Sequence, residues 1–501
     1  MNPAEQTDKT PSLPSIKILM LLTFTGAVLR SISLNSPLWC DEIVTVVQSV
    51  RIPTRLLLTT YFYDNQHTLY SLLAQGSVSI FGDAPWVVRL PAMICGTACI
   101  PALYLLGREF AGEFESLGAA GLLAVSYHHI WFSQNARGYT LLMLAAILAT
   151  WLLIQGLRRP GFRPWFLYAL TVATGMYTHL TMVFIPISHA LICSLLWLLP
   201  QEEMKWLTGW KRPAAGLVLS AILTLVLYGP MASHVVNFFV NKPTGMKNVS
   251  TPRWALIEAW NVMQQGLGAV PIFTVLVLLT AVPVTICGLV SYLRQSRVAF
   301  ALFVLPVIVT LAGALVLRGT LYPRFFFYLS GFGLLIAMRG ISIIGQHLIS
   351  LIGAKPAPQK AEYACSLLVS VVIICSAISL GSYYRSPKQD FEGAIAFVEE
   401  QSVVGEPVVT VGVSANFCIE RYYGRPWHKL ASASDLSKLL NKGRRVWVVY
   451  AFPRYLQSEN AELALQIRQQ VPVVREFPGT LSGGTVIVCR ADPVGIGGSV
   501  P

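Results

Sequence analysis

Charge is what this sequence has least of. Of its 501 residues, 12% are Asp, Glu, Lys or Arg and 54% are hydrophobic, whereas a soluble domain carries about 25% charged residues. A deficit of that size, spread over most of the chain, excludes an ordinary soluble protein and reads as a polytopic membrane protein. The net charge of +13 does not imply nucleic acid. No basic run with interleaved aromatics is present, so nucleic acid is not among the expected partners. In a membrane protein, Lys and Arg gather in cytoplasmic loops and can hold anionic lipid or phosphate. The nine cysteines include no CxxC pair. Six of them (Cys95, Cys99, Cys193, Cys287, Cys365 and Cys375) lie in apolar runs, where they read as small buried hydrophobes. Cys418 and Cys489 share a polar C-terminal region and are candidates to pair if that region is extracytoplasmic. Internal repeats, low-complexity tracts and a nucleotide-binding glycine loop are also absent.

What is present in quantity is apolar length, since about 20 residues cross the hydrocarbon. Eleven spans are expected, at 16–34, 86–107, 116–134, 138–157, 164–178, 180–199, 213–231, 269–293, 298–317, 325–349 and 363–382. The first run has no small-residue cleavage site and is expected to stay as an anchor. His67 to Phe81 is too short to span and predicts an interfacial or re-entrant helix. With a cytoplasmic N-terminus, the inside loops hold Arg158, Arg159, Arg163, Lys205, Lys211, Arg212, Arg294, Arg297, Lys355 and Lys360. The outside loops are poorer in Lys and Arg, as the positive-inside rule asks. The expected division is a membrane domain over 1–383, with a first outside loop at about 35–85, and a soluble domain over 384–501. In the latter, strand-like runs at 407–411, 446–450, 473–477 and 485–490 alternate with helical patterns at 390–401 and 457–470, which reads as a small α/β domain.

This topology sorts the polar residues. Asp41 and Glu42, in the stretch SPLWCDEIVTVVQSV, fall in the first outside loop with Asp64, Asn65, Gln66 and His67. Arg137 and Tyr139, His179, and Arg324 fall at later outside turns. Ionisable groups at membrane depth are functional by default, and a carboxylate facing arginines suits proton removal from a nucleophile while a phosphate leaves. Each residue also has a plainer reading. Glu42 after Trp39 is the kind of carboxylate that caps a helix. Arg137 and Arg324 near apolar ends can snorkel. His128 and His129 point to different helix faces, and His189 and His347 read as packing or loop residues. Asn248-Val249-Ser250 fits a glycosylation sequon, a short pattern that is discounted here.

In chain order the sequence carries Trp39-Cys40-Asp41-Glu42, His67-Thr68-Leu69-Tyr70, Phe81-Gly82, Arg89-Leu90-Pro91, Ser133 to Tyr139 (SQNARGY), Tyr177-Thr178-His179 and Tyr322-Pro323-Arg324. That ordered set, over roughly the first 340 residues, resembles the GT-C-fold membrane glycosyltransferases of the family 39 type, similar to protein O-mannosyltransferases and lipid A aminoarabinose transferases. Two features depart from it. Thr68 stands where many relatives have Pro, and the C-terminal region is not the β-trefoil of the eukaryotic O-mannosyltransferases. The resemblance implies a mannosyltransferase-like enzyme of the plasma (inner) membrane, with its C-terminal domain extracytoplasmic. It would move a sugar from a polyprenyl-phosphate donor to a hydroxyl on a lipid, glycan or protein acceptor, with inversion. It implies Asp41 as general base, Glu42 in support, and His67, Arg89, Arg137, Tyr139, His179 and Arg324 as substrate- or phosphate-binding residues. A divalent metal is the cofactor to consider, and no motif decides it. Two other classes remain open from the residues alone: a transporter or flippase of lipid-linked sugars, and a non-catalytic assembly subunit.

Overall fold

The computed structural model describes residues 12–493 apart from 64–65, 199–208, 242–251, 267–270, 317–321, 352–364, 413–414, 482 and several positions between 367 and 382. The sequon at Asn248, Lys205, Lys355, Lys360, Asp64, Asn65, and much of the expected span 363–382 lie outside the described residues. The chain divides into two compact units. The first takes the described residues of 1–34, 53–82 and 87–381, and the second those of 35–52, 83–86 and 382–501.

The first unit is helical. Among the described residues, eight helical segments are long and apolar enough to cross a membrane: Leu13–Ser31, Pro85–Gly107, Tyr139–Arg158, Leu180–Leu198, Lys211–Val240, Val277–Gln295, Arg297–Val316 and Pro323–Leu351. Two expected spans take another form. The run 116–134 is broken at Ser126, whose extended backbone separates Glu113–Val125 from Tyr127–Ser133 and whose side chain accepts the His129 N–H. The run 164–178 is the helix Arg163–Thr178, about 24 Å long at 1.5 Å per residue, short of the roughly 30 Å hydrocarbon core. The apolar run after His67 is the 14-residue helix Thr68–Phe81.

Helix Tyr139–Arg158 is the most enclosed of the long helices, and Ala146, Ile147, Ala149 and Leu153 are fully buried. Helices Pro271–Gln295 and Ser330–Leu351 touch through glycine. Gly288 faces the Ile336 carbonyl and Gly340 that of Val284, so closely that a Cβ on either would collide with backbone. Such small-residue contacts let apolar helices associate where no hydrophobic force separates them from lipid. Buried charge is paired or hydrogen-bonded within the unit. Arg30 donates to the carbonyls of Gly26, Ala124 and Leu123 and meets His129. Arg158 pairs with Glu109, and Arg339 with Glu115 at 2.9 Å.

The second unit carries a five-stranded mixed sheet: β1 (Val408–Val411), β2 (His428–Leu430), β3 (Val446–Ala451), β4 (Val473–Phe477) and β5 (Val486–Ala491), in the order β2-β1-β3-β5-β4. The β2/β1 and β1/β3 pairs are parallel, while β3/β5 and β4/β5 are antiparallel. Central β3 and β5 are almost wholly buried, as valine-rich strands covered on both faces should be. Edge strand β4 is exposed up to Phe477 and carries Arg475 and Glu476, charges that discourage edge-to-edge pairing. Helices Phe391–Gln401, Ala433–Leu440, Pro453–Glu459 and Ala461–Gln470 complete the domain. The expected helix 457–470 is two helices because Asn460 leaves the helical region and caps Leu463. Strand β2 and helix Ala433–Leu440 are too short to have shown a period.

Candidate functional site

In the first unit the site is built at the ends of helices. Gln66 is buried and ties its loop together, accepting from the Phe62 N–H at 2.8 Å and donating to the Thr60 carbonyl at 3.1 Å. That loop delivers His67 as the residue preceding helix Thr68–Phe81, which Tyr70 anchors by a 2.7 Å bond to the Val88 carbonyl. The turn 134–138 is fixed from the other side. Gln134 donates to the carbonyls of Arg30 and Ile32, and the Arg137 N–H to that of Asn135 at 2.6 Å. Gly138 makes the close approach possible, since a Cβ there would lie 2.6 Å from Thr178 Cγ2 and 3.0 Å from His67 Nδ1. His179 interrupts two helices with an extended backbone, and Tyr228 holds the preceding turn through the Met176 carbonyl.

These elements bring five of the expected residues together. The rings of His67 and His179 are 4.9 Å apart, as are those of His67 and Tyr139. The Arg137 guanidinium lies over Tyr139 at 6.0 Å. The Arg324 guanidinium lies over Tyr322 at 4.4 Å, and Phe325 beside it is 5.9 Å from the His179 ring. His67, Arg137, Tyr139 and His179 are nearly inaccessible to solvent. Burial first, then Arg137, His179 and Arg324, hold the His67 imidazole well below its ordinary value, so the ring is neutral at neutral pH. His179 Nδ1 accepts the Thr181 N–H at 3.2 Å, which leaves the proton on Nε2 and makes that edge a donor. Two guanidiniums and two imidazoles form a donor set suited to a phosphate. Arg89, by contrast, is fully buried and donates to the Leu34 carbonyl at 2.8 Å, where it fixes the end of the first helix's loop. Thr181, Gly138 and Phe325 carry no sequence signal of their own beyond adjacency to His179, Arg137 and Arg324.

Asp41 and Glu42 belong to the second unit. Both sit in the first turn of the short helix Cys40–Thr45, which runs on into Val46–Val50. Glu42 is fully buried. Its Oε2 accepts the Trp39 N–H at 3.2 Å, and its Oε1 lies 3.8 Å from Lys388 Nζ. Its plain capping role is therefore realised, with a lysine added. Asp41 is half-buried. The candidate pair Cys418 and Cys489 is not joined: both thiols are free, and Cys418 instead meets Cys40. The reason is local, because Cys489 lies inside β5, while Cys418 sits on the segment Ala415–Tyr422 that packs on the Asp41 helix. Among the described residues, no group of three or more His, Cys, Asp or Glu side chains could hold a metal ion.

The fold is that of a class, the GT-C-fold multi-pass membrane proteins. ArnT from Cupriavidus metallidurans in the apo state is similar with a TM-score of 0.58 at 11% identity, over 96% of this chain and 100% of that one. ArnT bound to undecaprenyl phosphate gives 0.53 at 12%, over 96% and 99%. The archaeal oligosaccharyltransferase AglB from Archaeoglobus fulgidus, in complex with an inhibitory peptide and a dolichol-phosphate, gives 0.56 at 13%, over 95% and 74%. At these identities the likeness is one of fold. Within it, residues 67–228 match the family described as dolichyl-phosphate-mannose-protein mannosyltransferase. No curated protein matches the chain in sequence.

Proposed function

We propose that the protein is a glycosyltransferase that moves a sugar from a polyprenyl-phosphate carrier to an acceptor hydroxyl on the extracytoplasmic face of the plasma membrane. The observation that carries this reading is the meeting of buried His67, Arg137 and His179 with half-buried Arg324 at helix ends of a GT-C fold. The segment matching the mannosyltransferase family begins at His67 and contains three of the four. Solved proteins of the same fold carry undecaprenyl phosphate or dolichol-phosphate, the class of carrier the cluster suits.

In the reaction, Asp41 takes the proton of the acceptor O–H. The freed oxygen attacks the anomeric carbon, and the bond from that carbon to the phosphate oxygen breaks on the opposite face, giving inversion. The electron pair leaves with the polyprenyl phosphate. Arg137 and Arg324 neutralise the charge that develops there, and neutral His67 and the His179 Nε2–H donate to the remaining oxygens. Tyr139 walls the cluster against His67, and Arg89 keeps the adjoining loop end in place.

Reconstitution of the purified protein in vesicles with a radiolabelled polyprenyl-phosphate sugar and an extract of cell-envelope acceptors tests this. The wild type is expected to form a new glycosidic product, and Asp41→Asn to lose it while folding normally. Movement of the labelled lipid across the bilayer with no product would overturn the reading in favour of a flippase.

A further inference from the structure

The second unit contains a device that the reaction scheme leaves unexplained. Residues Pro387, Lys388 and Gln389 form a strap clamped by the loop before β5. The Thr480 N–H donates to the Pro387 carbonyl at 2.9 Å and the Leu481 N–H to the Lys388 carbonyl at 3.1 Å. Gly479 lies so close to the Lys388 carbonyl that a Cβ there would collide with it. The strap's two polar side chains turn towards the helix that carries Asp41. The Gln389 amide is fully buried and works in both directions. Its Oε1 accepts the Cys40 N–H at 2.8 Å, and its Nε2 donates to the Gly484 carbonyl at 2.9 Å. Lys388 is 3% exposed and faces Glu42, which is 0% exposed, at 3.8 Å.

A short helix cannot hold its own start. Its first N–H groups have no internal partners, and six residues are far fewer than a stable isolated helix needs. Here the first N–H group goes to Gln389, and the Glu42 carboxylate that caps Trp39 goes to Lys388. The residues on either side of Asp41 are thus both held from the strap. Burying a lysine and a glutamate yields little net stability against apolar replacements, so fixing geometry is the role that accounts for this pair.

We propose that Lys388 and Gln389 are positioning residues for Asp41, acting through Glu42 and through the Cys40 backbone. The proposal rests on the reading of Asp41 as base. Loss of either residue lets the Asp41 helix drift while leaving the donor-binding cluster in the first unit untouched. Misplacement of a reacting group by about 1 Å can cost about a hundredfold in rate.

The test uses the full-length protein in vesicles and the variants Lys388→Met, Lys388→Arg, Gln389→Leu, Glu42→Gln and Glu42→Gln/Lys388→Met. Lys388→Met and Gln389→Leu are expected to lower kcat about tenfold or more, with KM for the polyprenyl-phosphate donor within about twofold of wild type. Lys388→Arg, which keeps the charge, regains most of the rate. The double variant is expected to be no worse than Glu42→Gln alone, because Lys388 acts through that carboxylate. It also leaves no lone buried charge, so it reports on the proposal if Lys388→Met does not fold. Unchanged kcat in Lys388→Met and Gln389→Leu, additive losses in the double variant, or a change confined to KM would each overturn the proposal.

A readout independent of sugar transfer separates its failure from that of the functional reading. Cys40, buried in the wild type, is expected to become reactive to a maleimide in Gln389→Leu while Cys489 stays protected. If the wild type transfers no sugar, the assignment of the reaction fails. If Cys40 stays protected in Gln389→Leu, the positioning role fails instead.

Discussion

Arg137 and Arg324 set the sharpest expectation for single side chains. Each lies over an aromatic ring and acts electrostatically on His67, and each is expected to matter for the donor more than for the acceptor. Arg137→Ala and Arg324→Ala should lower kcat/KM for the polyprenyl-phosphate sugar by about 10- to 100-fold and leave KM for the acceptor unchanged, as steady-state kinetics in vesicles would read. His67 supplies a pH dependence. Its folded-state value lies below the ordinary one because of burial, Arg137, His179 and Arg324, so below about pH 6.5 the unfolded chain binds a proton that the native state refuses. Stability is therefore fully present above about pH 6.5 and falls as the pH drops, by at most about 1.4 kcal/mol per unit from this group. Thermal unfolding of the detergent-solubilised protein at pH 7.5 and 5.5 should show that loss, and His67→Asn should flatten it. Burial pushes the Cys489 thiol up to about 12 and lifts Cys418 as well, so both should resist iodoacetamide at pH 8 in the native protein, as peptide mass mapping would show. Asp41, Arg137, His179 and Arg324 could be singled out from sequence because ionisable residues are rare at the ends of apolar runs. Lys388 and Gln389 could not, since a Lys-Gln pair at the start of a polar region looks like any solvated linker.

Among the elements, the turn 134–138 ties the histidine site together, and its glycine is the point of least tolerance. Gly138→Ala would drive a methyl group into Thr178 and the His67 ring. Overpacking of that kind costs roughly 1–3 kcal/mol, so the variant should unfold at lower temperature and lose transfer, and the two losses can be read on one preparation. The long apolar helices were legible from length alone, because the hydrocarbon thickness sets a minimum that few other structures need. The break at Ser126 was not. Serine between two apolar runs is compatible with a continuous helix, and only its bond to the His129 N–H shows that it starts a new one. In the C-terminal domain, β3 and β5 were visible as valine-rich runs. The three-residue β2 exists because β1 offers it a parallel edge, a long-range fact that no local pattern carries.

On the scale of the whole chain, the division into two units places Asp41 with the C-terminal sheet domain and the histidine–arginine cluster with the helices. A sequence reading treats 35–85 as one loop and the C-terminal domain as separate from it, because contiguity is all a sequence offers. The structure assigns Asn35–Ile52 to the same unit as the sheet. Truncation after residue 383 is therefore expected to abolish transfer and to expose the 35–52 segment to protease, which limited trypsin digestion at Arg51 would detect. The bond from the Cys40 N–H to Gln389 spans 349 positions of sequence. Its two ends are consequently made far apart in translation. The segment bearing the Asp41 carboxylate leaves the ribosome long before the residues that hold it, which are made more than three hundred positions later. A chain that has not reached Lys388 and Gln389 thus lacks the partners that order this carboxylate, so assembly of the second unit waits on their synthesis.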